Sequence, residues 1–264
     1  MKDRFTGRPA IVTGAGLGIS RAIALRLHEE GAHVLAVDKN PDVLAALPQS
    51  ERIRTLVADV TDAAAPAAIV AACLEAFGGI RVLVNNAGLG NAPAFHETTE
   101  ADYEKWMGVN LTSTFRLTRA AFDALLASKG VVLNIASTLG VQGYRRQAVY
   151  STAKAGVIGL TRNLAADYGG AGLRVNAIAP GIIATPQTAA RLHTARFYAT
   201  IVGTTPMGRP GLPEEVAGAA AFLCSDDAGF VNGQVLAVDG GQTSSAYVSD
   251  AMVQCWTDAH PDAD

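Results

Sequence analysis

Short apolar segments alternate along this chain with longer segments of helical periodicity. Several of these segments lack the apolar–polar alternation of a half-exposed strand, so we expect strands buried on both faces. Strands that alternate with helices pair in parallel through right-handed crossovers, which predicts an α/β fold with a doubly wound, seven-stranded parallel sheet. The predicted strands are Ala10–Val12, His33–Val37, Ile53–Ala58, Arg81–Val84, Val131–Leu133, Leu173–Ile178 and Gln234–Val238, and clear helical periodicity covers Ile19–Glu30, Ala63–Phe77 and Leu111–Ala127.

Length and charge restrict the class of protein. With 264 residues, 49% of them hydrophobic, the chain can fill the core of one large domain. The formal net charge is −3 and no basic run is present, so we expect no nucleic-acid partner. Met1–Arg8 lacks the apolar stretch of a secretory signal, and no apolar run reaches membrane-spanning length. We therefore expect a cytoplasmic protein without a membrane partner.

Cysteine and histidine give no sign of a metal site. The three cysteines are far apart and form no CxxC pair, so neither a disulfide framework nor a thiolate site is expected. The five histidines are dispersed without HxxxH or HExxH spacing. We expect no bound metal. The residues concerned are Cys73, Cys224 and Cys255, and His28, His33, His96, His193 and His260.

A glycine-rich turn follows the first predicted strand and leads directly into a helix. Glycines let the backbone turn tightly and approach a pyrophosphate, whose charge then meets the free N–H groups of the helix. A glycine-rich turn alone can be a simple tight loop, but its position between the first strand and first helix favours dinucleotide binding. The turn runs from Thr13 to Ser20 and contains Gly14, Gly16, Leu17, Gly18 and Ile19.

Asp38 ends the second predicted strand, where a carboxylate can accept hydrogen bonds from an adenosine ribose. The same charge would repel a 2′-phosphate, which favours NAD over NADP. The neighbouring Lys39 favours the opposite preference, and Asp38 has the alternative role of capping the strand end.

Tyr150 and Lys154 are four residues apart at the start of a predicted helix, which places them on one face. A nearby ammonium stabilises phenolate, so Lys154 would bring the pKa of the Tyr150 phenol toward neutral pH and make it a general acid/base. The YxxxK spacing also occurs by chance on exposed helix faces, so the pair needs support from other motifs.

Further motifs supply that support, because the chain from about residue 5 to 241 resembles the short-chain dehydrogenase/reductase superfamily. The matching residues follow in the family's order: the TGxxxGxG-type turn from Thr13, Asp59-Val60, Asn85-Asn86-Ala87-Gly88, Asn110, Ser137, Tyr150-x-x-x-Lys154 and Pro180-Gly181. The resemblance implies a Rossmann fold and an NAD(P)-dependent alcohol dehydrogenase or ketoreductase.

The resemblance also implies a catalytic tetrad. Ser137 would polarise the substrate oxygen and Tyr150 would act as general acid/base. Lys154 would lower the tyrosine pKa and bind the nicotinamide ribose. Asn110 would kink its helix and hold a water of a proton relay. Each residue also has an ordinary structural alternative, such as a strand cap, a helix-start residue or a solvated charge.

The remaining cofactor contacts are implied by the same resemblance. Asp59 and Val60 would contact adenine, Asn86, Ala87 and Gly88 would line the cofactor, and Pro180, Gly181, Ile183 and Thr185 would lie near the nicotinamide. Lys39 is included beside Asp38, together with the glycine turn, Tyr150 and Lys154. The family's turn ends in glycine, whereas this chain has Ser20, so we expect slightly weaker cofactor binding.

The substrate would lie between the nicotinamide, Ser137, Tyr150 and a flap at residues 184–206. The main candidates for contact are Leu139, Gln142, Tyr144 and Ile182, with further candidates at Leu89, Asn91, Phe95 and Gln187–Tyr198. Since these residues are mainly apolar, we expect a hydrophobic or cyclic secondary alcohol or ketone. The flap also offers Arg191, His193 and Arg196 to an anionic group.

Two other functions remain open. An NADPH-dependent 3-oxoacyl-thioester reductase belongs to the same family, but Asp38 argues against it. A dinucleotide-binding sensor without catalysis would be a different class, and the intact tetrad argues against that.

Assembly is the last expectation. The resemblance implies a homotetramer, with small residues such as Gly156 allowing close helix contact. Residues 1–241 would form the catalytic domain, and 242–264 a C-terminal extension packed on it or on a neighbouring subunit. Tyr247, Met252 and Trp256 would make those contacts.

Overall fold

A computed structural model describes residues 3–195, 197–198, 203–244 and 246–259 and shows a seven-stranded, all-parallel sheet. The strand order β3-β2-β1-β4-β5-β6-β7 confirms the predicted doubly wound Rossmann fold. The strands are β1 (Pro9–Thr13), β2 (His33–Asp38), β3 (Ile53–Val57), β4 (Val82–Asn85), β5 (Val131–Ile135), β6 (Arg174–Pro180) and β7 (Val235–Val238).

Helices cover both faces of the sheet. Thr99 and Asp102 form the capping box that begins α4, and Pro213 occupies the first turn of α8, where no N–H is needed. A five-residue π-helical turn, Gly108–Thr112, separates α4 from α5. The described α-helices are α1 (Gly18–Glu29), α2 (Pro41–Ala45), α3 (Ala65–Phe77), α4 (Glu100–Met107), α5 (Ser113–Ala127), α6 (Ala148–Tyr168), α7 (Pro186–Leu192), α8 (Pro213–Cys224) and α9 (Asp250–Ala259).

Each face of the central sheet has its own core. Along β1, Ala10 and Val12 pack in the cluster that includes α1 and α8, whereas Ile11 packs in the cluster that includes α3 and α5. The central strands are therefore buried on both faces, as expected. Strands β3 and β7 are edge strands, and their burial is only partial.

The strand order reverses beside β1, whose neighbours are β2 and β4. In a doubly wound sheet, the helices on the two sides diverge there and leave a crevice at the carboxyl ends of the strands. The glycine turn and Asn86–Gly88 follow β1 and β4 and lie at this crevice.

The segment predicted as a flap contains α7. Backbone hydrogen bonds with Gly211 hold the residues at which this segment begins. Gly211 donates its N–H to the Ile182 carbonyl at 2.8 Å, and its own carbonyl accepts from Ala184 at 2.8 Å. Arg196 and residues 199–202 lie outside the described residues.

The C-terminal extension contains α9, whose described side chains from Met252 to Ala259 are exposed. Ser249 donates its N–H to the Gly203 carbonyl at 3.1 Å just before this helix. His260 and residues 261–264 lie outside the described residues.

The described residues show neither a membrane-spanning helix nor a cluster of potential metal ligands. No described helix has the length and apolar character needed to cross a membrane. Nor does any group of three or more His, Cys, Asp or Glu side chains in that part of the chain form a potential metal site.

Candidate active site

A cleft of about 400 Å³ lies at the carboxyl edge of the sheet. It brings together the glycine turn after β1, the loop after β4, the residues after β5 and β6, and the first residues of α6 and α7. The predicted cofactor-contacting residues that line it are Gly14, Leu17, Gly18, Ile19, Asp38, Asn86, Ala87, Gly88, Tyr150, Lys154, Pro180, Gly181, Ile183 and Thr185. Asn110 and Ser137 of the predicted tetrad line it as well.

The glycine turn has the conformation that a dinucleotide site needs. Gly14 and Gly18 adopt positive φ values of 68° and 57°, which favour glycine. A Cβ at Gly16 would lie 2.1 Å from Val43 Cγ2. Gly18 begins α1, and no side chain caps its N-terminus, so the N–H groups of the first turn are available to a phosphate.

Asp38 is held beside this turn by two backbone donors. Its Oδ2 accepts from the Gly16 N–H at 3.1 Å, and its Oδ1 accepts from the Asn40 N–H at 3.0 Å. Each carboxylate oxygen keeps a further lone pair for a ribose hydroxyl. The adjacent Lys39 points its ammonium to Asp59, 3.6 Å from the carboxylate oxygen.

Ser20 is fully buried, and its hydroxyl accepts a hydrogen bond from the Asn86 side-chain amide. Thr13 supports the same loop, because its hydroxyl accepts from the backbone N–H groups of Asn86 and Ala87 at 3.1 and 3.2 Å. The serine thus connects the first helix to the loop after β4. The effect of Ser20 on cofactor binding, expected from the sequence to be a slight weakening, stays a prediction.

Ser137 and Tyr150 lie beside each other in the cleft. The Ser137 hydroxyl accepts from the Leu139 N–H at 3.1 Å, which leaves its proton free for another acceptor. Burial raises the pKa of the Tyr150 phenol, and a hydrogen bond with Ser137 opposes that increase. Desolvation of the phenolate is the largest effect, so the pKa of Tyr150 moves upward in the protein alone. This direction is opposite to the decrease that was expected from the neighbouring Lys154.

Lys154 lies on the same face of α6, with Nζ 5.8 Å from the centre of the Tyr150 ring. The side chain is only 5% exposed, and Nζ donates to the Ile135 carbonyl at 2.8 Å. Burial lowers the lysine pKa to about 8. One N–H is thus committed to the protein, and the others are available to a ligand in the cleft.

Asn110 lies in the π-helical turn between α4 and α5, at the helix distortion that the resemblance implied. Its amide nitrogen donates to the carbonyls of Leu89 and Trp106 at 3.1 and 3.0 Å, and its Oδ1 accepts from the Leu89 N–H at 3.2 Å. A Cβ at Gly88 would lie 2.7 Å from that oxygen. The Asn110 side chain therefore fixes the loop after β4 through protein contacts, and its implied part in a water relay stays a prediction.

Other predicted site residues lie outside the cleft lining. Asp59 is engaged by Lys39 and by the Thr61 hydroxyl, and Val60 is buried in the core on the α3 side. Leu139 and Gln142 belong to the turn after Ser137, but their side chains do not line the cleft. The predicted residues in this group are Gly16, Lys39, Asp59, Val60, Leu139, Gln142, Tyr144 and Ile182.

The cleft also includes residues that were not predicted from the sequence. Ile135 and Ala136 directly precede Ser137 at the end of β5, and Gly90 follows the predicted Leu89. Pro186 directly precedes Gln187 at the start of α7, whereas Thr188 belongs to the predicted range Gln187–Tyr198. Such positions could have been predicted from the sequence because they are adjacent to predicted site residues at strand ends. Parallel strands bring these ends to one edge of the sheet.

Comparison with known proteins gives a consistent result over nearly the whole chain. The family model described as Enoyl-(Acyl carrier protein) reductase matches residues 14–243. Levodione reductase from Leifsonia aquatica is 39% identical over 260 residues, covering 92% of this chain and 97% of that protein. Cis-4-hydroxycyclohexanecarboxylate dehydrogenase from Sinomonas cyclohexanicum is 41% identical over 250 residues, with 92% and 100% coverage.

A solved structure agrees with these relatives. It is described as a putative NAD(P) dependent gluconate 5-dehydrogenase from Beutenbergia cavernae with NADP bound at low occupancy, and it matches with a TM-score of 0.83 and 39% identity. The match covers 92% of this chain and all of that one. The chain therefore belongs to the short-chain dehydrogenase/reductase superfamily, whose fold implies a nicotinamide cofactor, and it is an NAD(P)-dependent alcohol dehydrogenase or ketoreductase.

Proposed function

We propose that this enzyme prefers NAD and interconverts a hydrophobic or cyclic secondary alcohol with its ketone, with Tyr150 as general acid/base. The position of Asp38 carries the cofactor part of the proposal. Its carboxylate lines the cleft and is fixed to the Gly16 N–H. A 2′-phosphate there would meet a fixed negative charge, while the nearest cation in sequence, Lys39, is engaged by Asp59.

The catalytic side chains have complementary tasks in this proposal. When bound, the nicotinamide exchanges a hydride with the carbon that bears the substrate oxygen. The Ser137 hydroxyl donates to that oxygen and orients it. Tyr150 takes the proton from the alcohol or returns it to the carbonyl. Lys154 donates its remaining N–H groups to the nicotinamide ribose, and its positive charge favours the phenolate form of Tyr150.

The character of the cleft supports an apolar substrate. Leu89, Ile183 and Pro186 supply apolar surface to the cleft that Ser137 and Tyr150 also line, and Gln187 supplies a polar group. The name of the Sinomonas relative describes a ring that carries a secondary hydroxyl. A ring alcohol is therefore the substrate class with which to begin.

The cofactor preference predicts a specific response to loss of Asp38. The wild-type enzyme should have a higher kcat/KM for NAD than for NADP with a ring alcohol such as cyclohexanol. Asp38→Ala should lower kcat/KM for NAD about 10-fold, because a charge-assisted hydrogen bond to the ribose is lost. It should also raise kcat/KM for NADP. The absorbance of the reduced nicotinamide, followed in separate assays with NAD and with NADP, measures both changes.

Asp123→Ala removes an exposed carboxylate on α5 and is the matched control, for which both values should stay within twofold of wild type. A wild-type preference for NADP would contradict the proposal and favour the thioester reductase. An undiminished turnover in Tyr150→Phe would contradict the assigned acid/base role.

A further inference from the structure

Beyond Ser137 and Tyr150, the end of the cleft lies between two walls, and the side chain of Arg191 connects them. Gln187 and Thr188 of α7 line the cleft, and Arg191 follows Gln187 by four residues, so it continues the same helix face. On the other wall, Leu89 and Gly90 line the cleft. Asn91 is the next residue, and its Oδ1 accepts a hydrogen bond from Arg191 Nη1. Arg191 therefore lies at the mouth of the cleft, in contact with both walls.

The charge of Arg191 is not neutralised by the part of the chain that the structure describes. Its polar partner there is the neutral amide of Asn91, and no described carboxylate lies within ion-pair distance. Arg146, by contrast, pairs with Glu97 at 2.9 Å. The mouth therefore presents a net positive group.

The guanidinium is also oriented. Its Cζ lies over the Phe197 ring, 4.0 Å from the ring centre, and such a cation–π contact needs no N–H donor. One Nη1 donor is used by Asn91, so N–H groups remain along the edge of the planar fork. Such an edge matches the two oxygens of a carboxylate.

We propose that Arg191, positioned by Asn91, is an anion subsite that binds a carboxylate on the substrate at the end opposite the reacting hydroxyl. The inference rests on the proposed function and specifies its substrate class as secondary ring alcohols that carry a carboxylate. Ser137 and Tyr150 fix the hydroxyl end, and Arg191 selects the charged end.

The test compares two ring alcohols of similar shape with NAD as cofactor. One is cis-4-hydroxycyclohexanecarboxylate, and the other is cis-4-methylcyclohexanol, which has no charge. The wild-type enzyme should have at least a 10-fold higher kcat/KM for the carboxylate. Arg191→Met keeps the side-chain length and should raise KM for the carboxylate at least 10-fold, with kcat within threefold and the neutral alcohol within twofold.

Arg54→Met is the matched control, because Arg54 lies exposed on the edge strand β3, and it should leave both substrates unchanged. In the wild-type enzyme, cyclohexanecarboxylate should inhibit oxidation of the neutral alcohol competitively, and cyclohexylmethanol should inhibit at least 10-fold less. This second measurement needs no variant to fold.

The outcomes distinguish the two levels of the proposal. Equal wild-type efficiency on both alcohols, or equal losses on both in Arg191→Met, would overturn the subsite and leave the NAD-dependent ring-alcohol activity standing. Failure of the wild-type enzyme to oxidise either alcohol with NAD would overturn the proposed function and the subsite with it.

Discussion

At the residue scale, the buried ammonium of Lys154 lowers the free energy of unfolding of the protein without cofactor. The ammonium is buried beside Tyr150, and its hydrogen bond to the Ile135 carbonyl satisfies one of three donors. Desolvation lowers its pKa to about 8, which is a measure of how strongly burial disfavours the charge. A cofactor ribose would supply the missing acceptors, so the residue is best satisfied in the bound enzyme.

We expect Lys154→Met to abolish turnover and stabilise the free protein. The folded-state pKa lies below the unfolded value, so below pH 8 the folded protein bears the full penalty of the buried charge, and stability rises with pH from about 8 to 10.5. Allowing for the lost bond to Ile135, the variant should gain about 1 to 2 kcal/mol at pH 7 and much less at pH 10.

Urea unfolding of the free protein at both pH values measures this difference. Lys105→Met, which removes an exposed ammonium on α4, should change the free energy of unfolding by less than about 0.5 kcal/mol at either pH. A Lys154 variant that is less stable than wild type at pH 7 would contradict the argument.

At the same scale, sequence spacing predicted the arrangement of some residues but could not predict the contacts or the pKa shifts of others. The four-residue interval predicted that Tyr150 and Lys154 share a helix face, because helix geometry is local. The upward shift of the tyrosine pKa depends on burial by the whole fold. The partner of Ser20 is Asn86, 66 positions away, so no local pattern could reveal that bond.

At the scale of elements, helix α6 carries both Tyr150 and Lys154 and is fixed to the sheet by buried amides. Asn134 of β5 donates to the Thr161 hydroxyl of α6 at 2.9 Å, and its own oxygen accepts from Asn85 of β4 at 2.9 Å. Asn134 and Thr161 have no exposed surface. We expect these bonds to fix the rotation of α6 about its axis and with it the direction of the Tyr150 and Lys154 side chains.

Thr161→Val should therefore affect both stability and catalysis. The substitution keeps the side-chain shape but leaves the Asn134 amide without its acceptor, which should reduce the free energy of unfolding by about 1 to 3 kcal/mol. We also expect kcat to fall several-fold with little change in KM for NAD, because the phenol moves relative to the substrate. Denaturant unfolding and steady-state kinetics measure the two effects.

Thr152→Val is the control for this prediction, since Thr152 is exposed on the same helix and undergoes the same chemical change. It should leave both measurements near wild type. Retention of full kcat by Thr161→Val would show that the buried amides stabilise the sheet without positioning α6.

Elements were predictable to different extents. The central strands were predicted to within about three residues at each end, because burial on both faces leaves a continuous apolar run. The π-helical turn was not predicted from hydrophobic periodicity, since it depends on the contacts of Asn110 with the loop after β4. Leu139 and Tyr144 are absent from the lining of the cleft in the protein alone, because tertiary packing decides the directions of loop side chains, and their contact with substrate stays a prediction.

At the scale of the whole molecule, none of the described residues of α9 belongs to the core on either face of the sheet. Met252, Val253 and Trp256 are exposed on this helix, with Tyr247 and Val248 exposed just before it. Apolar side chains grouped in this way are typical of surfaces that contact another protein. We propose that they lie against a neighbouring subunit of the expected homotetramer.

Deletion of residues 248–264 should therefore change assembly more than folding. The truncated chain should keep its thermal unfolding midpoint to within a few degrees at low concentration, because α9 adds little to either core. Its mass by light scattering should fall below that of the full-length protein. A full-length double variant, Met252→Ser with Trp256→Ser, tests the apolar contacts without shortening the chain.

An unchanged mass in both the truncated chain and the double variant, together with unchanged substrate affinity, would reject a role for the extension in contacts between subunits. An altered substrate affinity at unchanged mass would instead assign the extension to the cleft of its own subunit.

The bond between Ser20 and Asn86 makes two distant segments a single unit for protein engineering. A chimera that takes its glycine turn from a relative with glycine at this position would leave the native Asn86 amide without its acceptor. We therefore expect the turn and the loop after β4 to be better tolerated when they are exchanged together than when either is exchanged alone.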